Sequence, residues 1–250
     1  MIEIVCHRGA NQLAPENTYA SAELCINWGM DYLEIDVNTS RDGVMYLFHG
    51  PDLARTTNGK GKIYEWDSKD LDRLDCGSWF DASFCKEPMP RLDEFLNWVD
   101  GRIKLFFDVK WADLPALVKL VKRHNLADRC FFWFGRDRLA REFSQQFPEI
   151  PLKINVWQPA DVATAVDQYH ASIVELRVDA MTDAMKLSCA EAGVRSMVMH
   201  QQNEPAVFRQ MIDWQPDLVN VDHANVFARL RQVQPGNITN ADSARAAGPD

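Results

Sequence analysis

The sequence predicts an α/β chain closed into a (β/α)8 TIM barrel, with a small insertion after a β-hairpin. Three observations carry that prediction. Eight short apolar runs recur along the 250 residues, stretches of helical period separate most of them, and acids or histidines stand at or just past several of their ends. A doubly wound open sheet is the alternative, but no GxGxxG follows the first run.

The expected strands fall over 3–6, 32–37, 103–109, 130–134, 152–156, 172–176, 195–199 and 218–221. Amphipathic helices are expected over 92–99, 114–124, 160–169, 182–191 and 205–214. One run breaks the alternation. Residues 44–48 follow Val37 after a linker too short for a parallel crossover, and Asp42-Gly43 is a strong turn signal. The run therefore returns antiparallel to 32–37, leaving His49 on a loop at the site.

Residues 50–90 are rich in charges and turn dipeptides (Asn58-Gly59, Lys60-Gly61, Cys76-Gly77) and read as a small insertion or cap. Residues 1–234 are expected to form one domain. The tail 235–250 has little apolar content and is expected to be disordered.

A net charge of −9 argues against a general nucleic-acid binder, which carries a basic face. The absence of a long apolar run argues against a membrane-spanning helix, and the first residues enter a strand with no signal-peptide pattern. The 6 cysteines form no CxxC pair and are expected to be reduced, in a cytoplasmic protein. Cys6, beside His7, reads as a buried small hydrophobe rather than a nucleophile. The expected partner is a small-molecule anion.

Glu34 and Asp36 are two apart on a strand and share one face, while Leu33, Ile35 and Val37 take the other. Two carboxylates pointing into a barrel repel unless a cation or proton lies between them. Asp108 is the third candidate ligand, and three oxygen donors suit Mg²⁺ or Ca²⁺. Asp108-Val109-Lys110 alone is usually an ion pair; beside the other acids, Lys110 becomes a point charge for phosphate. His7 and His49 can divide general-base and general-acid work, and Arg8 adds a planar fork for an anion. Together they point to metal-assisted hydrolysis of a phosphate ester.

His7-Arg8-Gly9, Pro15-Glu16-Asn17-Thr18, Glu34-Ile35-Asp36-Val37, Asp42-Gly43-Val44, His49 and Arg55-Thr56-Thr57-Asn58-Gly59 resemble the glycerophosphodiester phosphodiesterase family in order and spacing. The match is dense over residues 2–60 and thins afterwards. It implies a TIM barrel, a divalent cation on Glu34, Asp36 and Asp108, and His7 and His49 as the acid–base pair. Arg8 and Lys110 would hold the phosphate, and Glu16 and Asn17 would brace the loop before the first helix.

Three departures stand out: Gly50 where the family usually has Asp, Asp108 where it usually has Glu, and Met199-His200 where a Trp is common near the end of the seventh strand. These leave the alcohol portion of the substrate open. Trp111, Trp133, Trp157, Glu175 and His200 follow later strands and are expected to form an apron for that portion. Glycerophosphodiester hydrolysis is the first expectation. A sugar-containing diester of the agrocinopine type is the second, and a catalytically silent barrel that only binds diesters is the third.

Overall fold

In a computed structural model, which describes residues 1–232, eight parallel strands curl into a barrel. They are β1 (Glu3–Cys6), β2 (Tyr32–Thr39), β4 (Lys104–Val109), β5 (Cys130–Phe134), β6 (Lys153–Asn155), β7 (Ile173–Arg177), β8 (Arg195–His200) and β9 (Leu218–Val221). Their order around the sheet is β5-β4-β2-β1-β9-β8-β7-β6. The remaining seam is held by one parallel bridge, Phe132 to Leu152, where the Phe132 N–H donates to the Pro151 carbonyl at 2.9 Å. The tail expectation for 235–250 lies outside the described residues.

β3 (Met45–Leu47) turns back on β2 as the Asp42-Gly43 signal implies, pairing Val37 with Leu47 and Thr39 with Met45. That pairing carries β2 two residues past the expected end, to Thr39. β6 is shorter than expected because only β7 pairs with it over its length.

Among the described residues eight helices pack around the sheet, α1 (Tyr19–Asn27), α3 (Leu92–Val99), α4 (Leu114–Arg123), α5 (Asp137–Gln146), α6 (Pro159–Tyr169), α7 (Asp183–Ala192), α8 (Pro205–Trp214) and α9 (Ala224–Gln232), and a ninth, α2 (Ser68–Leu71), lies in the insertion. Helix α4 shows why such segments form. Asp113 caps it by accepting from the Ala116 N–H at 2.8 Å, Pro115 sits in the first turn, and Lys122 and Arg123 face the negative end of the dipole. Leu114, Leu117, Val118 and Val121 recur at helical spacing and are buried. None of the helices is long and apolar enough to cross a membrane.

The barrel interior is layered. Val5, Tyr32, Phe106, Phe131, Ile173, Met197 and Leu218 fill its waist. Below them Glu3 pairs with Lys104 at 2.5 Å and with Arg195. Leu33, Ile35 and Val37 join the outer core with the helices, so Glu34 and Asp36 face inward. The 50–90 segment has a small core of its own, in which Leu53, Ile63, Leu71, Cys76 and Met89 pack on Tyr46 and Phe48.

Candidate active site

Parallel register does the first assembly step. β2 and β4 place Asp36 beside Asp108, with Glu34 one inward step below Asp36. The three carboxylates are 2%, 0% and 7% exposed for Glu34, Asp36 and Asp108, and one oxygen from each lies within 4.8 Å of the others. Glu34 Oε2 and Asp108 Oδ1 are buried with no hydrogen-bond partner. Burying unpaired acceptors is costly, so a group that satisfies them is called for. An all-oxygen donor set with spare lone pairs fits a hard divalent cation.

Charge around the cluster is graded. Lys110 Nζ lies 2.9 Å from Asp36 Oδ1 and 2.6 Å from Asp108 Oδ2. Arg8 Nε is 3.4 Å from Asp36 Oδ2, and Asn17 Nδ2 donates to the same oxygen at 2.7 Å. Burial works against the Asp36 carboxylate, but Lys110 and Arg8 hold its pKa below the usual range. Burial, with Asp36 and Asp108 adding repulsion, holds the Glu34 carboxyl well above that range against the pull of His7. Asp108 is likewise raised, by burial and by Asp36.

The loop after β1 brings in the first histidine. His7 Nδ1 lies 2.5 Å from Asp222 Oδ1, and Asn11 Nδ2 donates to that oxygen at 2.8 Å. His7 Nε2 faces Glu34 Oε2 at 3.6 Å. Burial lowers the His7 pKa, but Glu34 and Asp222 outweigh it and the net shift is upward. Arg8 follows with a φ of +56° and turns its guanidinium toward Glu16, which Arg55 also grips from the insertion. Glu16 and Asn17 thus brace this loop.

His49, just past β3, is half-buried. Burial first, then the charges of Arg8, Lys110 and Arg55, push its imidazole down to about 4, against the pull of Asp36. It is therefore neutral near pH 7, whereas His7 is biased toward its charged form. Separated imidazole pKa values suit one acid and one base. At Gly50, a Cβ would come within 2.4 Å of the Phe48 ring, which accounts for glycine there.

The five apron residues do not form one surface. Trp133 and Trp157 line a crevice of about 330 Å³ along the weakly paired seam between β5 and β6, with Phe134, Ile154 and Tyr169. His200 lines a separate cavity of about 470 Å³ with Arg177, Gln201 and Gln202. Trp111 borders neither, and its ring stands 5.3 Å from the Arg136 guanidinium. Glu175 lines neither cavity. It points into the barrel, where Lys153 Nζ donates to Oε2 at 2.6 Å and Asn220 Nδ2 to Oε1 at 3.3 Å. The apron is split because Trp133 and Trp157 meet at the β5–β6 seam, His200 ends β8 on another part of the barrel, and Glu175 is held inside it.

Sequence order alone assigns no role to Asn11, Lys153 or Gln201, and places Asp222 only among the polar residues just past the later strands. Gln201 Nε2 stands 3.4 Å from His7 Nδ1. Asp222 had one usable signal, an acid just past the last strand and two residues after inward-facing Asn220.

The model of the glycerophosphoryl diester phosphodiesterase family matches residues 7–228. YhdW of Bacillus subtilis is 36% identical over 60% of this chain and 64% of its own, so the match spans just under two thirds of that relative's length. The crystal structure of a glycerophosphodiester phosphodiesterase from Agrobacterium tumefaciens superimposes with a TM-score of 0.86 at 33% identity, covering 92% of this chain and 100% of that one. An Oleispira antarctica phosphodiesterase, solved in complex with the product sn-glycerol-3-phosphate, has a TM-score of 0.83 at 25% identity. It covers 91% of this chain and 96% of its own.

Proposed function

This chain belongs to the glycerophosphoryl diester phosphodiesterase family, and we propose that it hydrolyses a glycerophosphodiester to a phosphomonoester and an alcohol. The observation that carries this reading is the set of three buried carboxylates, with unsatisfied oxygens, between a carboxylate-backed histidine and a neutral one. In this reading residues 1–234 form the catalytic domain, acting on a small molecule in the cytoplasm.

Glu34, Asp36 and Asp108 would hold Mg²⁺ or Ca²⁺, which when bound supplies positive charge to the non-bridging phosphoryl oxygens. Arg8 and Lys110 orient the phosphate as a fork and a point charge. Neutral His49 accepts the proton of the attacking hydroxyl, either water, or a vicinal hydroxyl of the substrate that closes a cyclic phosphate which water then opens to the monoester. As the bond from phosphorus to the alcohol oxygen breaks, His7 gives that oxygen a proton from Nε2, while Asp222 holds Nδ1. The crevice walled by Trp133 and Trp157, the latter 70% exposed, favours a second reading in which the alcohol portion is a sugar that stacks there.

Incubation with glycerophosphocholine and Mg²⁺, followed by phosphorus NMR, tests the reading. Conversion to glycerol phosphate and choline is expected. No conversion of this or of a sugar diester, despite binding, would leave a silent barrel.

A further inference from the structure

Lys153 is 2% exposed inside the barrel, level with Ile173 in the apolar waist. Its ammonium donates to Glu175 Oε2 at 2.6 Å and to Asn155 Oδ1 at 2.8 Å. Taking both charges of such a pair out of water is costly, and a well-packed apolar pair is often as stable or more so. Stability therefore does not account for an ion pair among Phe106, Phe131 and Met197.

What Lys153 touches does account for it. Its Nζ stands 4.6 Å from the centre of the Trp133 ring, within cation–π range. Lys110 Nζ stands 5.5 Å from the same ring, and Lys110 is the cation between Asp36 and Asp108. Trp133 is also the register partner of Asp108 across β4 and β5. One indole thus connects the buried pair to the phosphate-facing lysine.

We propose that Lys153 is a positioning residue: anchored by Glu175 and Asn155, it fixes Trp133 and through it the place of Lys110. This rests on the diesterase reading for its consequence in turnover, but its binding consequence stands apart.

The test compares the wild type with Lys153→Met/Glu175→Met, which removes both charges together, with Lys153→Arg, and with Trp133→Phe. Melting temperature, kcat and KM for bis(p-nitrophenyl) phosphate, and calorimetric Kd for inorganic phosphate with Mg²⁺ are measured. The Met pair is expected to melt no lower than the wild type. Its phosphate Kd and its KM should rise on the order of tenfold, the scale seen when a residue orienting a binding group is lost. Lys153→Arg should recover most of that loss. Trp133→Phe should weaken phosphate binding similarly, and adding it to the Met pair should cost less than the product of the two effects.

A folded Met pair with wild-type phosphate affinity would overturn the proposal, as would fully multiplicative losses. If the Met pair does not fold, Lys153→Gln/Glu175→Gln carries the same comparison. A wild type that binds phosphate but cleaves no diester removes the diesterase reading while the binding comparison still decides the role of Lys153. A wild type that binds no phosphate overturns the positioning role.

Discussion

Asp222 Oδ1 lies 2.5 Å from His7 Nδ1, which commits that nitrogen to the carboxylate and turns Nε2 toward Glu34. In the hydrolytic reading this contact sets the geometry of the acid. Asp222→Asn should lower kcat about tenfold or more with little change in KM, on the scale of other orienting carboxylates. His7→Ala should cost on the order of 10²-fold or more, the usual contribution of general acid–base catalysis. Steady-state kinetics on glycerophosphocholine checks both. An Asp222→Asn enzyme with normal kcat would remove the orienting role.

His49 gives a pH dependence with a definite sign. Its pKa in the cation-free fold, pushed down to about 4 by burial and neighbouring positive charge, lies below the value of roughly 6.5 expected in the unfolded chain. Between these values the unfolded state binds a proton that the folded state does not. His49 therefore favours folding above about 6.5 and loses that contribution as pH falls toward 4. Melting curves in EDTA should show the wild type losing ground to His49→Gln between pH 7.5 and 5. Parallel curves would contradict the shift.

Gly50 is held by the ring beside it. A Cβ there would stand 2.4 Å from Phe48 Cε1, and the residue has a φ of +21°. Gly50→Ala should destabilise the fold by about 1–3 kcal/mol, the usual cost of overpacking. Thermal melts would show this directly. An unchanged melting temperature would mean that Phe48 moves aside freely.

The strands with strict side-chain alternation were the legible part of the sequence. The period of two placed Glu34 and Asp36 on one face, and the Asp42-Gly43 turn placed β3 antiparallel to β2. Contacts that depend on which strands are neighbours were not legible. The approach of Asp222 to His7 spans 215 positions and needs the β1–β9 register, in which Cys6 pairs with Val221. The partnership of Lys153 and Glu175 likewise needs β6 beside β7, and a lysine in a short apolar run carries no mark of its partner. The aromatic apron failed as one surface for a related reason. Sequence order shows that Trp111, Trp133, Trp157 and His200 lie at or just past strand ends, but not that one crevice opens along the β5–β6 seam while the His200 cavity lies beside β8 and α8.

In the hydrolytic reading Glu34, Asp36 and Asp108 hold a divalent cation on which turnover depends. The most direct measurement is hydrolysis of glycerophosphocholine by EDTA-stripped protein titrated with Mg²⁺ or Ca²⁺, beside Asp108→Asn. Activity should vanish on stripping and return with a saturable cation dependence, and Asp108→Asn should need roughly 10–100-fold more cation for half-recovery. Full activity in EDTA, or an unshifted cation requirement in Asp108→Asn, would contradict it.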